Sequence, residues 1–170
     1  HTDCIVLRDE LQALREYFVI MKVRYEGRIG LNIQVSDEDA ELFIPKLLLQ
    51  PVVENAIRHG LREKDGEGTV AIRVERKENY LEIVVMDDGV GMDAEQVRIM
   101  QETLEHPEIG KADANGRLSV GMKNVYDRIK LNCGKEYGFG IESFLGVGTI
   151  VTYHLPIWEE SENVESSDRG

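Results

Sequence analysis

Residues 44–60 read Ile44-Pro-Lys-Leu-Leu-Leu-Gln-Pro-Val-Val-Glu-Asn-Ala-Ile-Arg-His-Gly60. A proline fits the first turn of a helix and a glycine often ends one, so we expect a helix whose start or kink is set by Pro51 and whose end is Gly60. The polar side chains in its second half are Glu54, Asn55, Arg58 and His59. An asparagine inside a helix is mildly unfavourable and therefore needs an explanation.

Apolar residues recur at helix or strand spacing on both sides of this stretch. Upstream, the spacing predicts an amphipathic helix from Leu7 to Tyr25 and a strand from Leu31 to Val35. Downstream, it predicts strands near 70–74 and 81–85, helices near 94–105 and 120–133, and strands near 137–144 and 149–156. Because the strands come in adjacent pairs between helices, the predicted fold class is α/β, an α+β two-layer sandwich with helices covering one face of a mixed sheet.

The first helix carries one apolar stripe, formed by Leu7, Leu11, Leu14, Phe18, Met21 and Tyr25. The stripe suits a helix that packs on its own domain. It also suits half of a helical dimer, because dimer seams need heptad spacing. Fewer than three heptads are present, so the spacing alone leaves both interpretations open.

Composition excludes several classes of function. The net charge of −12 opposes a nucleic-acid surface, which needs clustered lysine and arginine. No apolar run is long enough to span a bilayer, so any membrane association would come through upstream segments. Cys4 and Cys133 lack metal-ligand spacing; two reduced thiols are the simpler interpretation, and a disulfide stays open. Residues 159–170 are acidic and almost without apolar groups, which predicts a disordered tail.

A second motif, Asp87-Asp-Gly-Val-Gly91, follows a predicted strand. A carboxylate at a strand end can accept a hydrogen bond from an exocyclic amine such as that of adenine. The glycines beyond it would let a ligand ring approach the backbone. In isolation an ordinary turn is the more frequent meaning of such a motif. A calcium loop is disfavoured, because Val90 and Met92 interrupt the series of oxygen ligands.

A third motif, Ser119-Val-Gly-Met-Lys-Asn124, lies at a predicted helix start after a loop. Gly121 would leave backbone N–H groups directed at an anion, and Lys123 would add positive charge. A glycine needed only for a loop turn is an equal alternative. In the first motif, Asn55 offers an amide oxygen for Mg²⁺, and Arg58 offers a partner for phosphate. The alternative for Asn55 is an ordinary surface asparagine. The alternative for His59 is a core or capping role.

The order and spacing of these motifs are more specific than any one of them. Asn-Ala-x-Arg-His, Asp-x-Gly-x-Gly, Gly-Met-Lys-Asn and Gly-x-Gly-Thr resemble, in that order, the N, G1, G2 and G3 boxes of the GHKL ATP-binding family. Residues 44–60, 121–131 and 146–156 are similar, as long strings, to the LytS/YesM-type sensor histidine kinases. The resemblance runs from about residue 5 to residue 157.

This resemblance implies a Bergerat-type fold and a site for ATP and Mg²⁺. Asn55 would coordinate Mg²⁺, Arg58 and His59 would lie beside the phosphates, and Glu54 is a catalytic candidate without an assigned role. Asp87 would hold the adenine amine, and residues 92–120 would form a lid. The further nucleotide-binding residues that the resemblance implies are Gly89, Gly91, Met92, Val120, Gly121, Met122, Lys123 and Thr149.

Three positions depart from patterns in the wider family. Asp88 stands where many such kinases have asparagine, and Ser119 stands where a glycine is usual. In the ATPase branches, a glutamate four residues before the Mg²⁺-binding asparagine activates water; here that position is Pro51, which cannot accept a proton. Glu54 is turned about 100° from Asn55 around the helix and can equally pair with Arg58. The chain therefore fits phosphoryl transfer to an acceptor better than hydrolysis.

We accordingly expect a protein-histidine kinase domain. Residues 1–28 would be the second helix of a dimerisation and phosphoacceptor domain, and residues 29–158 the catalytic ATP-binding domain. No histidine of the chain has the sequence context of a phosphoacceptor, so the acceptor would lie outside it. The implied partners are a response regulator and, for the full-length protein, a second copy; the implied location is the cytoplasmic side of a membrane-anchored bacterial sensor. The alternatives are a GHKL ATPase, an anti-sigma-type serine kinase and a non-catalytic nucleotide-binding module.

Overall fold

The computed structural model describes residues 4–62, 64–106 and 120–159. The helices in this part of the chain are α1 (Leu7–Arg24), α2 (Gln50–Asn55), α3 (Ala94–Glu105) and α4 (Val120–Cys133). The strands are β1 (Cys4–Val6), β2 (Ile29–Gln34), β3 (Phe43–Pro45), β4 (Gly68–Arg76), β5 (Leu81–Asp87), β6 (Gly138–Phe144) and β7 (Gly148–Leu155). Among the described residues, no helix has the length and apolar character that crossing a membrane would require.

Five of the strands form one mixed sheet with the order β2-β4-β5-β7-β6. The β2–β4 pair is parallel, and the other three pairs are antiparallel. Along β4, Val70, Ile72 and Val74 are buried while Thr69 and Arg73 are exposed, so one face of the sheet is covered. Helices supply that cover, as the sequence predicted. β1 and β3 form a separate two-stranded ribbon.

Helix α1 packs on the same hydrophobic core as the sheet. Leu7, Leu11, Leu14 and Phe18 of the predicted stripe are buried against residues of the other elements. The structure thus favours the interpretation of a helix packed on its own domain for this face. The proposed domain boundary at residue 28 stays a prediction. A second group of apolar side chains on α1, Val19, Ile20 and Val23, is exposed.

The helix predicted within residues 44–60 begins near Pro51, and the residues before it are not helical. Phe43–Pro45 is strand β3, and Leu47 has a left-handed backbone with φ of 57°, which a helix does not allow. The start is correctly placed, since α2 begins at Gln50 with Pro51 in its first turn. Its end is one residue beyond Gly60, because the helix continues as a π-helical turn over Ala56–Leu61.

Asp93 caps the start of helix α3. The Gln96 backbone N–H donates to Asp93 Oδ1 at 2.8 Å, and the Asp93 N–H donates to Gln96 Oε1 at 3.0 Å. This reciprocal pair is a capping box, which satisfies two N–H groups at the start of α3. Of the predicted lid, only residues 92–106 and Val120 are described. Ser119 and residues 160–170 of the predicted tail also lie outside the described residues.

The packing of α1 gives a direct test of its role in the core. Leu14 is fully buried, whereas Ile20 on the same helix is 65% exposed. We expect Leu14→Ala to lower the free energy of unfolding by about 2–5 kcal/mol, because the cavity left behind adds to the lost burial. The matched control Ile20→Ala should change it by about 0.5 kcal/mol or less. Urea unfolding measures both, and equal effects would contradict the packing of α1 on the core.

Candidate functional site

A cleft of about 470 Å³ of empty space, partly open to solvent, lies between α2 with its π-helical turn and strands β5 and β7. Apolar side chains such as Val52, Val85, Met100, Ile141 and Val151 form most of its wall. The predicted site residues that also line it are Asn55, His59, Asp87, Gly91, Met92, Met122 and Thr149. An apolar cleft with a few converging polar groups is the usual form of a small-molecule site.

Asn55 brings an unsatisfied acceptor to this cleft. It is the last residue of α2, and its side-chain Oδ1 is buried without a hydrogen-bond partner among the described residues. A buried polar atom left without a partner costs about 1–3 kcal/mol, so such an atom indicates a ligand site. Amide oxygens are among the ligands that Mg²⁺ accepts.

The other polar residues of the same helix are arranged differently. Glu54 Oε1 accepts a hydrogen bond from Gln50 Nε2 at 3.1 Å, so the described contacts pair it with Gln50 and not with Arg58. The Arg58 side chain is exposed and lies outside the wall of the cleft. His59 lies in that wall. The phosphate roles of Arg58 and His59 stay predictions.

Asp87 ends β5 at the other side of the cleft. The Gly89 N–H donates to Asp87 Oδ1 at 2.9 Å. Burial raises the pKa of Asp87 to about 6, and the neighbouring Asp88 adds to the rise, while the backbone N–H groups of Gly89 and Thr149 oppose it. The result is a partly desolvated carboxylate that is ionised at neutral pH. Such a group binds an N–H donor more strongly than a carboxylate in water does.

The first two motifs contact each other through their glycines. A Cβ on Gly89 would lie 2.3 Å from the carbonyl carbon of Gly60, and a Cβ on Gly60 would lie 2.7 Å from Asp87 Oδ1. The Val90 N–H donates to the Gly60 carbonyl at 3.1 Å across this contact. The sequence suggested that the glycines make room for a ligand. In the structure, the room beside Gly89 is occupied by the protein's own backbone.

The β6–β7 hairpin packs against the end of the second motif. Gly91 has a φ of 67°, and a Cβ there would lie 2.0 Å from the Phe144 carbonyl oxygen. The Met92 N–H donates to Ser143 Oγ at 2.8 Å, and that oxygen lies 2.8 Å from Thr149 Oγ1. Sequence reasoning missed Ser143, since a single serine on a strand gives no signal until its neighbours are known. Through it, Thr149 and Met92 hold one wall of the cleft.

Lys123 does not face the cleft. Its side chain is buried at 8% exposure, and Nζ donates to the Leu104 carbonyl at 2.8 Å and to Asp127 Oδ1 at 2.8 Å. In this arrangement the ammonium satisfies a carbonyl at the end of α3, and its contact with phosphate stays a prediction. Gly121 and Met122 lie in the first turn of α4, where the sequence placed them. Val120 begins this helix.

Asp88, the residue that replaces asparagine in the resemblance, lies away from the cleft. Its Oδ1 accepts a hydrogen bond from the Thr69 N–H at 2.7 Å, and Oδ2 lies 3.4 Å from Lys64 Nζ. It therefore fastens the start of β4 and makes no contact with the cleft. Its partners are therefore a strand and the loop that precedes this strand.

Comparison with known proteins gives the family. Residues 43–159 match the family model described as histidine kinase-, DNA gyrase B-, and HSP90-like ATPase. Because this match covers more than half of the chain, the chain belongs to that family, as the motif order predicted.

Particular relatives are sensor kinases. The chain is 30% identical over 158 residues to the sensor histidine kinase YesM of Bacillus subtilis (strain 168), covering 93% of this chain and 25% of that protein. It is 27% identical over 154 residues to the sensor protein kinase HptS of Staphylococcus aureus (strain USA300), covering 90% and 28%. The chain thus spans about a quarter of the length of these relatives.

Solved structures agree on the fold. The histidine kinase domain from the Erythrobacter litoralis EL346 blue-light activated histidine kinase has a TM-score of 0.61 at 20% identity, covering 94% of this chain and 69% of that one. The catalytic domain of histidine kinase ThkA has the same TM-score at 14% identity, covering 92% and 95%. The predicted two-layer fold is confirmed.

The close contact between Gly60 and Gly89 can be tested by substituting Gly89. We expect Gly89→Ala to lower the free energy of unfolding by about 1–3 kcal/mol or more, because the new methyl group would collide with the Gly60 backbone. Gly140→Ala on β6 is the matched control, since a Cβ there meets nothing within 4 Å. It should leave stability unchanged or raise it by about 0.5–1 kcal/mol. Thermal unfolding compares them, and a neutral Gly89→Ala would refute the close approach.

Proposed function

We propose that this chain is the ATP-binding catalytic domain of a sensor histidine kinase, which transfers the γ-phosphate of ATP to a histidine on a dimerisation domain. The observation that carries the proposal is that one cleft is lined both by the Asn55 oxygen, which has no partner among the described residues, and by the half-buried Asp87 carboxylate. The names of the curated relatives, which are sensor kinases, support it.

The Asp87 side of the cleft would bind adenine. The carboxylate is an acceptor for the exocyclic amine, and Thr149 lies beside it, since the two residues are paired across β5 and β7. The methionines of the cleft wall, Met92, Met100 and Met122, offer flexible apolar surface to the base. A buried carboxylate distinguishes an amine from a carbonyl at that position, so we expect adenine to be preferred over guanine.

The Asn55 side would bind Mg²⁺ and the phosphates. Asn55 Oδ1 fits a hard cation, since it is a buried neutral oxygen without a hydrogen-bond partner in the described part of the chain. Mg²⁺, once bound, supplies charge neutralisation of the phosphates. The first turn of α4, with Gly121, offers backbone N–H groups to the same phosphates, and His59 lies in the intervening wall.

Transfer to an acceptor is preferred over hydrolysis. In the first turn of α2, the place of a water-activating base is taken by Pro51, and Glu54 is hydrogen-bonded to Gln50. Catalysis would then rest on positioning and charge neutralisation. A GHKL ATPase or serine kinase is thereby disfavoured, and a non-catalytic binding module is the alternative that the experiments below address. A response regulator as partner, a homodimer of the full protein and a cytoplasmic site on a membrane-anchored sensor are parts of the same proposal.

Calorimetry with ATP tests the two ends of the cleft separately. We expect Asp87→Asn to weaken binding about 10–100-fold with or without Mg²⁺, because a charged hydrogen bond contributes about 1.5–3 kcal/mol. Asn55→Ala should remove mainly the gain in affinity that Mg²⁺ provides. The exposed residues Asp37 and Asn79 give matched controls, Asp37→Asn and Asn79→Ala, which should bind as the wild type does. Absence of ATP binding by the wild type at millimolar concentration would overturn the proposal.

The raised pKa of Asp87 predicts a pH dependence of binding. The ionised carboxylate accepts the adenine amine more strongly than the neutral carboxyl group does, and the pKa of Asp87 in the free protein is about 6. Affinity for ATP without Mg²⁺ should therefore be constant above about pH 7 and fall about tenfold by pH 5, one unit below the pKa. The Asp87→Asn variant should lack the part of this fall in affinity that arises from protonation of the Asp87 carboxylate. Equal pH profiles for the variant and the wild type would contradict the role of Asp87.

Phosphotransfer is measured with a separate polypeptide that carries the acceptor histidine and its dimerisation helices. With labelled ATP and Mg²⁺, we expect acid-labile phosphate on that polypeptide, and much less with Asn55→Ala. Asn79→Ala is the control that should transfer as the wild type does. Persistent absence of transfer, with ATP bound, would favour the non-catalytic binding module.

A further inference from the structure

Helix α1 inserts a carboxylate beneath the start of α2. Glu10 is only 3% exposed, and its Oε1 accepts a hydrogen bond from the Leu48 N–H at 3.0 Å. Its Oε2 is buried without a hydrogen-bond partner among the described residues. Burial raises the pKa of Glu10 to about 7, against the opposing effect of the N–H groups of Leu48, Leu47 and Leu49 and of the Arg128 charge.

Two other elements bind two of these residues, Leu47 and Leu48. Arg128 of α4 donates from Nη2 to the Leu47 carbonyl at 2.9 Å, and the Tyr153 hydroxyl of β7 donates to the Leu48 carbonyl at 2.7 Å. The turn formed by Leu47–Leu49 is thus hydrogen-bonded by α1, α4 and β7 together. Leu47 is held there in a left-handed backbone conformation, which a residue other than glycine does not favour by itself.

The turn leads directly into the helix that carries Asn55. The Val53 N–H donates to the Leu49 carbonyl at 3.0 Å, which is the first hydrogen bond of that helix. α2 has only six residues, so its direction depends on the structure that precedes it. A negative charge at a helix N-terminus is also favourable. A small displacement of the turn would therefore displace Asn55.

Stability alone gives a poor reason for an ionisable group at this position. A buried carboxylate oxygen without a partner is unfavourable, and a neutral side chain of the same shape would remove that cost. Glutamine is such a side chain, but its NH₂ group would oppose the N–H groups of the turn where Oε2 now lies. Ionised Glu10 can accept from several of these N–H groups, whereas glutamine accepts through one oxygen only.

We propose that Glu10 is a positioning residue for the metal end of the cleft: with Arg128, its carboxylate holds the turn Leu47–Leu49 so that Asn55 is directed at Mg²⁺. The proposal rests on the proposed function and names a residue outside the cleft on which its metal site depends. It also connects α1 with Mg²⁺ binding, since a displacement of α1 would withdraw the carboxylate from the turn.

The experiment measures the Mg²⁺ enhancement, defined as the dissociation constant for ATP without Mg²⁺ divided by that with Mg²⁺. We expect Glu10→Gln to reduce the enhancement about tenfold at pH 8, the lower end of the losses seen when groups that orient a metal ligand are removed. Affinity without Mg²⁺ should stay within about twofold, because Asp87 is untouched. The control is Glu16→Gln, which changes an exposed glutamate of the same helix. We expect this variant to have the Mg²⁺ enhancement of the wild type.

A pH series separates positioning from a purely structural role. Burial raises the pKa of Glu10 to about 7 and holds the pKa of Tyr153 well above its usual value, so the Glu10 carboxyl group titrates between pH 6 and 8 and the Tyr153 hydroxyl group does not. The enhancement of the Glu16→Gln control should therefore fall further toward pH 6 than that of Glu10→Gln. Titration of ATP itself is common to both variants and cancels in the comparison.

The second variant, Arg128→Gln, should also reduce the enhancement. The double variant should lose less than the product of the two single losses, because both residues act on one turn. Equal enhancement in Glu10→Gln and Glu16→Gln at every pH would overturn the proposal while leaving the kinase assignment intact. A wild type without any Mg²⁺ enhancement would overturn both. Circular dichroism and the affinity without Mg²⁺ confirm that each variant is folded.

Discussion

The contact between the backbones of Gly60 and Gly89 is the constraint on which the cleft depends. It joins the helix that carries Asn55 to the strand end that carries Asp87, two segments separated by a hairpin in the sequence. The Val90 N–H satisfies the Gly60 carbonyl across it, so the approach leaves neither of these two groups without a partner. A side chain at either glycine would separate the two segments and with them the acceptors for the base and the metal.

The electrostatics of the site follow from this packing. Close approach removes water from Asp87, and burial raises its pKa to about 6, yet the Gly89 N–H keeps the carboxylate hydrogen-bonded. Asn55 Oδ1 is also buried, and it has no hydrogen-bond partner among the residues that the structure describes. The cleft thus keeps two polar groups that the proposed nucleotide and its metal would satisfy, which is the kind of local cost that functional sites carry.

Several elements outside the cleft control its walls. Ser143 connects Met92 with Thr149, Lys123 connects the end of α3 with α4, and Glu10 with Arg128 connects α1 and α4 with the turn before α2. Each link joins segments that are distant in sequence, and each uses a polar group that is at least partly buried. Because such groups lose much of their interaction if displaced, the walls are expected to move as connected units.

The sequence by itself determined the fold class, most element positions and the identity of the polar residues in the cleft. These follow from local information: apolar periodicity, the capping box at Asp93, and the order of the glycine motifs. The helix start at Pro51 was predicted correctly, but the strand and the turn before it were not, because the left-handed Leu47 and the pairing of β3 with β1 depend on partners far away in the sequence.

Only the tertiary structure decided what each side chain contacts. The glycines of the second motif were expected to leave room for a ligand, but they pack against the protein's own backbone. The Lys123 ammonium binds a carbonyl at the end of α3, and Glu54 pairs with Gln50. Glu10 and Ser143 gave no signal in the sequence, since a glutamate on a helix and a serine on a strand are ordinary residues. Their importance arises from burial and from partners on other elements, and spacing along the chain carries no information about either.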